Sequence, residues 1–310
     1  MMRGIQFLPV LALALAAAGC GGGGGGSTPD VQSTRLTIKN SCSYDIWVQH
    51  TNGPEDINET QKIAAGATAD YDIPDAGRAS DRFWPKKGCD ANGDNCTIGQ
   101  SSDPCPDGGC PPPVDSKLEV TWGCTLSDTS GCNLTPQGDL LSDTYWNMSA
   151  VDGYTFPFKA TVTENTRTDD GQACVEADCS GLTLAQCPAA DDLSQGQTAT
   201  HPEYASSDLK VTSGETQIGC YSPCKKLNYP TFGGENLNED SDAAVMYCCP
   251  TPPISSDGCR AGPVVGTDYV KLIHNVCSDT VYGYAYDDAK GLRQCSAGTK
   301  VLVEFGPNCP

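Results

Sequence analysis

Nineteen of the 310 residues are cysteine, and a cysteine can serve as a thiolate nucleophile, a soft metal ligand or half of a disulfide. The spacing argues for the third. No Cys-x-x-Cys pair occurs, and only His50, His201 and His274 are available to complete a zinc site, so neither a metal nor any other cofactor is expected. Setting Cys20 aside leaves 19 − 1 = 18 cysteines, an even number that can pair completely. Eighteen thiols allow about 3 × 10⁷ pairings. One local constraint applies: Cys248 and Cys249 are adjacent, and a bridge between neighbours is strained, so each must find a different partner. Carboxylates are the second reservoir of chemistry. Asp and Glu number 39 against 19 Lys and Arg, for a net charge of −20. That balance speaks for solubility, excludes nucleic acid as a partner, and opposes direct attraction to anionic membranes.

The first residues read as an address rather than as structure. Arg3 gives a short positive start, and Ile5 to Ala18 form an apolar run ending Ala16-Ala17-Ala18-Gly19-Cys20. The run is too short for a membrane span, which takes about 20 residues, so residues 1–19 are expected to be a secretory signal peptide. The small residues before Cys20 resemble a bacterial lipoprotein cleavage box, with Ala17 where that box more often has Leu, and Cys20 becomes the expected lipid anchor. Gly21 to Gly26, followed by Ser27, Thr28 and Pro29, offer no side chains for a core. Residues 20–33 therefore read as anchor and flexible tether. An oxidising, exported location follows, and with it full pairing of the other cysteines.

The elements that must position any site are short strands. Leu36/Ile38, Tyr44/Ile46/Val48, Leu118/Val120/Trp122, Phe156/Phe158, Tyr282/Tyr284/Tyr286 and Val301/Val303/Phe305 alternate with period two, which predicts half-buried strands of an antiparallel sandwich or flattened barrel. One segment has helical spacing. Tyr269, Leu272, Ile273 and Val276 fall at i, i+3, i+4 and i+7, with Thr267 as N-cap and Asp268 in the first turn. Cysteines crowd where apolar periodicity is weak, in the loop holding Cys89, Cys96, Cys105 and Cys110 and again between Cys174 and Cys259. Those stretches bury too little apolar area to offset chain entropy without staples.

The order of motifs carries a resemblance: Asn40-Ser41-Cys42-Ser43-Tyr44-Asp45-Ile46-Trp47-Val48, Arg82-Phe83-Trp84 ahead of Cys89, Leu118-Glu119-Val120, Val151-Asp152-Gly153-Tyr154-Thr155-Phe156-Pro157, Tyr247-Cys248-Cys249, and Phe305 through Cys309. From about Thr34 to Pro310 the chain resembles the thaumatin-like proteins. The resemblance implies a mainly β fold, an antiparallel sandwich body (34–86, 117–180, 278–310) with a small stapled loop (87–116) and a disulfide-rich second lobe (181–277), together one thaumatin-like domain over 34–310. It also implies bridges Cys42 to Cys309, Cys89 to Cys96, Cys105 to Cys110, Cys174 to Cys295, Cys179 to Cys277, Cys187 to Cys220, Cys224 to Cys248 and Cys249 to Cys259. Cys124 and Cys132 are left over, and are expected to form a ninth, lineage-specific bridge. The stretch from Gly93 to Cys110 and the segment Lys225–Tyr247 are longer than is usual in the family, on what should be the lips of a cleft.

Many members of that family have an acidic cleft of one Arg, one Glu and three Asp, associated with binding or slow hydrolysis of β-1,3-glucans. Position by position, the resemblance carries these roles to Arg82, Glu119, Asp152 and Asp287, while Asn147 stands where the remaining carboxylate is usual. Carboxylates accept hydrogen bonds from sugar hydroxyls, and two flanking a glycosidic bond can act as acid and base. The expected function is a cell-surface lipoprotein that binds carbohydrate, with a β-1,3-glucan as partner and Tyr154, Phe156 and Tyr286 as cleft aromatics. A weak endo-β-1,3-glucanase of antifungal type, using Glu119 and Asp152, is the alternative, and a protein-binding or membrane-perturbing defence role is a second. The protein is expected to act as a monomer, anchored to the bacterial cell envelope or secreted.

Overall fold

The structure is a computed structural model that describes residues 32–53, 55–100, 115–164 and 174–310. The expected leader, Cys20, the glycine run and the Cys105 to Cys110 bridge lie outside the described residues. The expected tether ends sooner than 33, because Gln32 and Ser33 already belong to the first strand, where Ser33 Oγ donates to Asp75 at 2.9 Å.

Strands β1 (Gln32–Asn40), β2 (Ile46–Asn52), β3 (Ile57–Ile63), β4 (Thr68–Pro74) and β5 (Arg78–Lys86) follow one another through short turns. Then come β6 (Lys117–Trp122), β7 (Asp143–Ser149), the two-residue β8 (Gly153–Tyr154), β9 (Phe158–Glu164) and the two-residue β10 (Ala177–Asp178). The hairpin β11 (Lys210–Ser213) and β12 (Thr216–Tyr221) leads into helices α1 (Pro223–Asn228), α2 (Val245–Cys248), α3 (Ser256–Arg260) and α4 (Asp268–Val276). Helix α5 (Asp288–Gly291) and strands β13 (Arg293–Ser296) and β14 (Lys300–Phe305) close the chain.

Five strands in the order β10-β9-β14-β1-β4 form one sheet, and six in the order β13-β7-β6-β5-β2-β3 form the other. Apolar residues of period two fill the space between them: Leu36, Ile38, Val301, Val303 and Phe305 from the first, and Val48, Phe83, Leu118, Val120, Trp122, Trp146 and Met148 from the second. Pairing is antiparallel except between β1 and β14, which run parallel with Leu36 opposite Val301. Asp81 also points into this core. Its fully buried carboxylate is satisfied by His50, Asn52, Arg78 and the Trp122 indole, as a buried charge must be.

A third sheet joins the body to the lobe. β8 comes from the sandwich segment yet pairs with β12, placing Gly153 opposite Tyr221 and Tyr154 opposite Cys220. The expected helix is present as α4, with Thr267 Oγ1 accepting from Val270 N. Asp191, far away in sequence, completes the cap by accepting from the backbone N–H groups of Asp268 and Tyr269, each at 2.9 Å. Eight bridges occur among the described residues, pairing Cys42 with Cys309, Cys89 with Cys96, Cys124 with Cys132, Cys174 with Cys295, Cys179 with Cys277, Cys187 with Cys220, Cys224 with Cys248 and Cys249 with Cys259.

One expected strand is absent. Tyr282, Tyr284 and Tyr286 lie in a bend, where a single bridge joins Tyr282 to Ser149. Their alternation comes from the small Gly283 and Ala285 between them, and Tyr286 has φ +66°, outside any strand geometry. Gly283 N donates to the Asp287 carboxylate at 3.0 Å instead of to a ladder.

Candidate functional site

The alternation that buries Phe83, Leu118 and Met148 sends their neighbours to the opposite face of the six-stranded sheet. Register then aligns Arg82 of β5, Glu119 of β6 and Asn147 of β7 in one row, Arg82 opposite Glu119 and Glu119 opposite Asn147. Arg82 Nε lies 3.2 Å from Glu119 Oε1, with the two side chains 47% and 32% exposed. An exposed pair of this kind contributes at most about 1 kcal/mol. Asn147 Oδ1 is buried and has no hydrogen-bond partner among the described residues, and an unmet acceptor of this sort costs roughly 1–3 kcal/mol until something donates to it.

Asp152 occupies the turn between β7 and β8. Tyr269 of α4 fixes that turn by donating its hydroxyl to Ala150 O at 2.6 Å, and Gly153, at φ +123°, allows the chain to swing into β8. Two lysines converge on the carboxylate. Lys117 shares its face of β6 with Glu119, is 7% exposed, and places its ammonium on Asp152 Oδ2. From the other side, Lys225 Nζ in the first turn of α1 lies 3.3 Å from Asp152 Oδ1. The N-cap Ser222 and the bridge Cys224 to Cys248 hold α1 in place. Burial pushes the Asp152 carboxyl up, but Lys117 and Lys225 outweigh it and hold Asp152 well below the usual carboxylate range. Burial also works against the Lys117 ammonium, and Asp152, Glu119 and Asp115 together reverse that and raise it.

Beside Asp152 opens a pocket of about 130 Å³, lined among others by Lys225, Asn228, Glu239, Tyr247 and Tyr284. Asn228 Oδ1 is buried there without a partner among the described residues.

Several expectations change here. Asp287 is nearly buried, its side chain 4% exposed and 2.7 Å from His274 Nε2, binding the tyrosine bend to α4. Tyr154, Phe156 and Tyr286 are buried and offer no open ring to a sugar. The expected acids are not alone, since Arg82 answers Glu119 and two lysines answer Asp152. Lys117 and Lys225 were invisible as site residues in the sequence, because a lysine two positions from a glutamate carries no signal of its distant partner. The three histidines do not gather with cysteines. His50 meets Asp81, His201 meets Glu203 and Asp242, and His274 meets Asp287, and among the described residues no group of three His, Cys, Asp or Glu forms a metal site.

Chemically, the row supplies anionic and amide acceptors flanked by cations. A glycosidase of the two-carboxylate type needs one carboxyl held protonated. Asp152 is held ionised, and Glu119 faces a guanidinium rather than an apolar wall.

A two-sheet sandwich with a third, disulfide-stapled sheet and helices beside it defines a stapled β protein, and its many bridges are consistent with export. The thaumatin family model matches residues 40–307, and the chain belongs to that family. Thaumatin-like protein 2 of Prunus persica is 24% identical over 281 residues, 88% of this chain and 90% of that protein. A glucan endo-1,3-beta-glucosidase of Prunus avium is 26% identical over 284 residues, 88% of this chain and 90% of that protein. Among solved structures, a GH family 64 laminaripentaose-producing β-1,3-glucanase from Paenibacillus barengoltzii overlaps with a TM-score of 0.48 at 13% identity, covering 90% of this chain and 76% of that one.

Proposed function

We propose that this protein binds carbohydrate, and among polysaccharides a β-1,3-glucan, along the row of Arg82, Glu119 and Asn147 and against the lysine-held Asp152. The observation that carries the reading is that row: a part-exposed carboxylate and guanidinium, side by side with an amide whose oxygen has no partner among the described residues. Sugar hydroxyls donate to such acceptors, and a guanidinium donates to hydroxyl oxygens. The name of the Prunus avium relative supports the choice of glucan, and the same name favours weak hydrolysis as a second reading, in which Glu119 and Asp152 are the pair of carboxyls. Retention on insoluble β-1,3-glucan tests both. Asp152→Asn and Glu119→Gln each replace a charged acceptor by a neutral amide, a loss of about 1–3 kcal/mol, so each should weaken retention roughly 5- to 150-fold. Release of reducing ends should stay far below the ~10 s⁻¹ typical of enzymes. Unchanged retention in both variants would remove the carbohydrate cleft. Turnover near that typical value, abolished by either substitution, would make the protein a glucanase.

The reading extends to location. A signal peptide over residues 1–19, lipid on Cys20 and a tether ending near residue 31 would hold the cleft roughly 20 Å from a bacterial envelope membrane. Cys20→Ala should abolish lipidation and can also block signal processing, so the test follows only the mature, cleaved species, which should leave the membrane fractions. A mature Cys20→Ala protein that still sediments with membranes contradicts the anchor.

A further inference from the structure

We propose that Lys117 is the positioning residue of the cleft: from behind the site it fixes the Asp152 carboxylate on one oxygen and leaves the other for an incoming ligand. The inference rests on the carbohydrate reading and adds to it a residue and a charge requirement. Lysine is almost never buried unless paired, and Lys117 is nearly enclosed with its ammonium on Asp152 Oδ2. It does not line the pocket, whereas Asp152 and Lys225 do. The two lysines therefore play different parts. Lys225 is 21% exposed, reaches Oδ1 from the lobe side, and can yield to a ligand hydroxyl. Lys117 stays on Oδ2.

The groups facing this pair come from every neighbouring element. Glu119 stands two residues along β6, Asp115 just before it, Lys225 on α1, the Tyr269 phenol on α4 and Glu239 across the pocket. Burial alone drives a carboxyl toward its neutral form, and the Tyr269 phenol, pushed well above its ordinary range by burial, stays neutral and does not offset it. With Lys117 removed, Lys225 alone opposes burial. Asp152 then takes up a proton at higher pH than in the parent, and where it does so it ceases to be an anionic acceptor.

The test compares the full-length parent with Lys117→Met, Lys117→Arg and Lys225→Met from about pH 3 to about pH 7. Two quantities are followed, retention on insoluble β-1,3-glucan and the Asp152 carboxyl titration by carbon-13 NMR. Loss of one opposite charge moves a carboxyl by about 1–3 units. Lys117→Met should therefore raise the Asp152 midpoint by about two pH units, into the titrated range, and cut retention about two-fold near pH 3, with recovery toward pH 7. Lys117→Arg should restore the low midpoint, and Lys225→Met should shift it less. A Lys117→Met variant that leaves the titration in place while retention falls equally at every pH overturns the proposal, because that is the signature of a merely structural lysine. If Lys117→Met does not fold, Lys225→Met decides: a rise of about two units there makes Lys225 the holder and overturns the assignment, whereas a smaller one sustains it. A parent that ignores glucan at every pH, with the Asp152 titration moving as expected, removes the glucan reading and leaves the Lys117 assignment standing.

Discussion

Asp152 is where opposing forces are most closely matched. Burial works to protonate it, two ammonium groups work to keep it charged, and the lysines win. Its folded value lies below the ordinary aspartate value of about 3.9. The sign follows from linkage: a depressed carboxyl stabilises the fold above the unfolded value, and that stabilisation is lost as pH falls through the folded one. Asp152→Asn should therefore destabilise the protein at neutral pH, by about 1–3 kcal/mol for the charged hydrogen-bond partners it leaves unmet. The difference from the parent should shrink steadily below about pH 4. Denaturant unfolding at several pH values measures it, and a penalty independent of pH would show that packing, not charge, holds Asp152. Glu119 is the contrast, since its exposed pairing with Arg82 is screened by water. Glu119→Gln should barely change stability, so a loss of glucan retention in that variant reports on the site alone.

Between residues and the whole molecule, the elements show what the sequence made legible. Strict alternation in Leu118/Val120/Trp122 and Val301/Val303/Phe305 marked real strands, because one face of each packs on the core and the other does not. Thr267 with Asp268 marked the start of α4 for the same local reason, an oxygen within reach of Val270 N. The tyrosine bend misled because side-chain alternation alone does not say where backbone hydrogen bonds go, and at Gly283 they go to Asp287. The same carboxylate braces His274 of α4. Motif resemblance found Arg82, Glu119, Asn147 and Asp152, which register and the β7–β8 turn do bring to one region. It missed Lys117 and Lys225, whose roles exist only through a partner 35 residues away for the first and across the lobe boundary for the second. Asp191 as second cap of α4 is hidden in the same way, 77 residues from the amide of Asp268.

At the scale of the molecule, the sandwich and the stapled segment beside Asp152 share covalent and backbone ties. The bridge Cys179 to Cys277 closes 98 residues of chain and locks the lobe's last helix to the segment after β9, and β8 enters the lobe sheet directly beside Asp152. A rigid frame of this kind keeps acceptors in place before a ligand arrives, which lowers the ordering cost of binding. The central claim is that this preset row binds a glucan, and amide NMR of the nitrogen-15 labelled protein titrated with a soluble β-1,3-glucan oligosaccharide tests it most directly. Saturable shifts should gather at Arg82, Glu119, Asn147, Asp152 and Lys225. Saturable shifts confined to other surfaces, or none at all, would contradict the account.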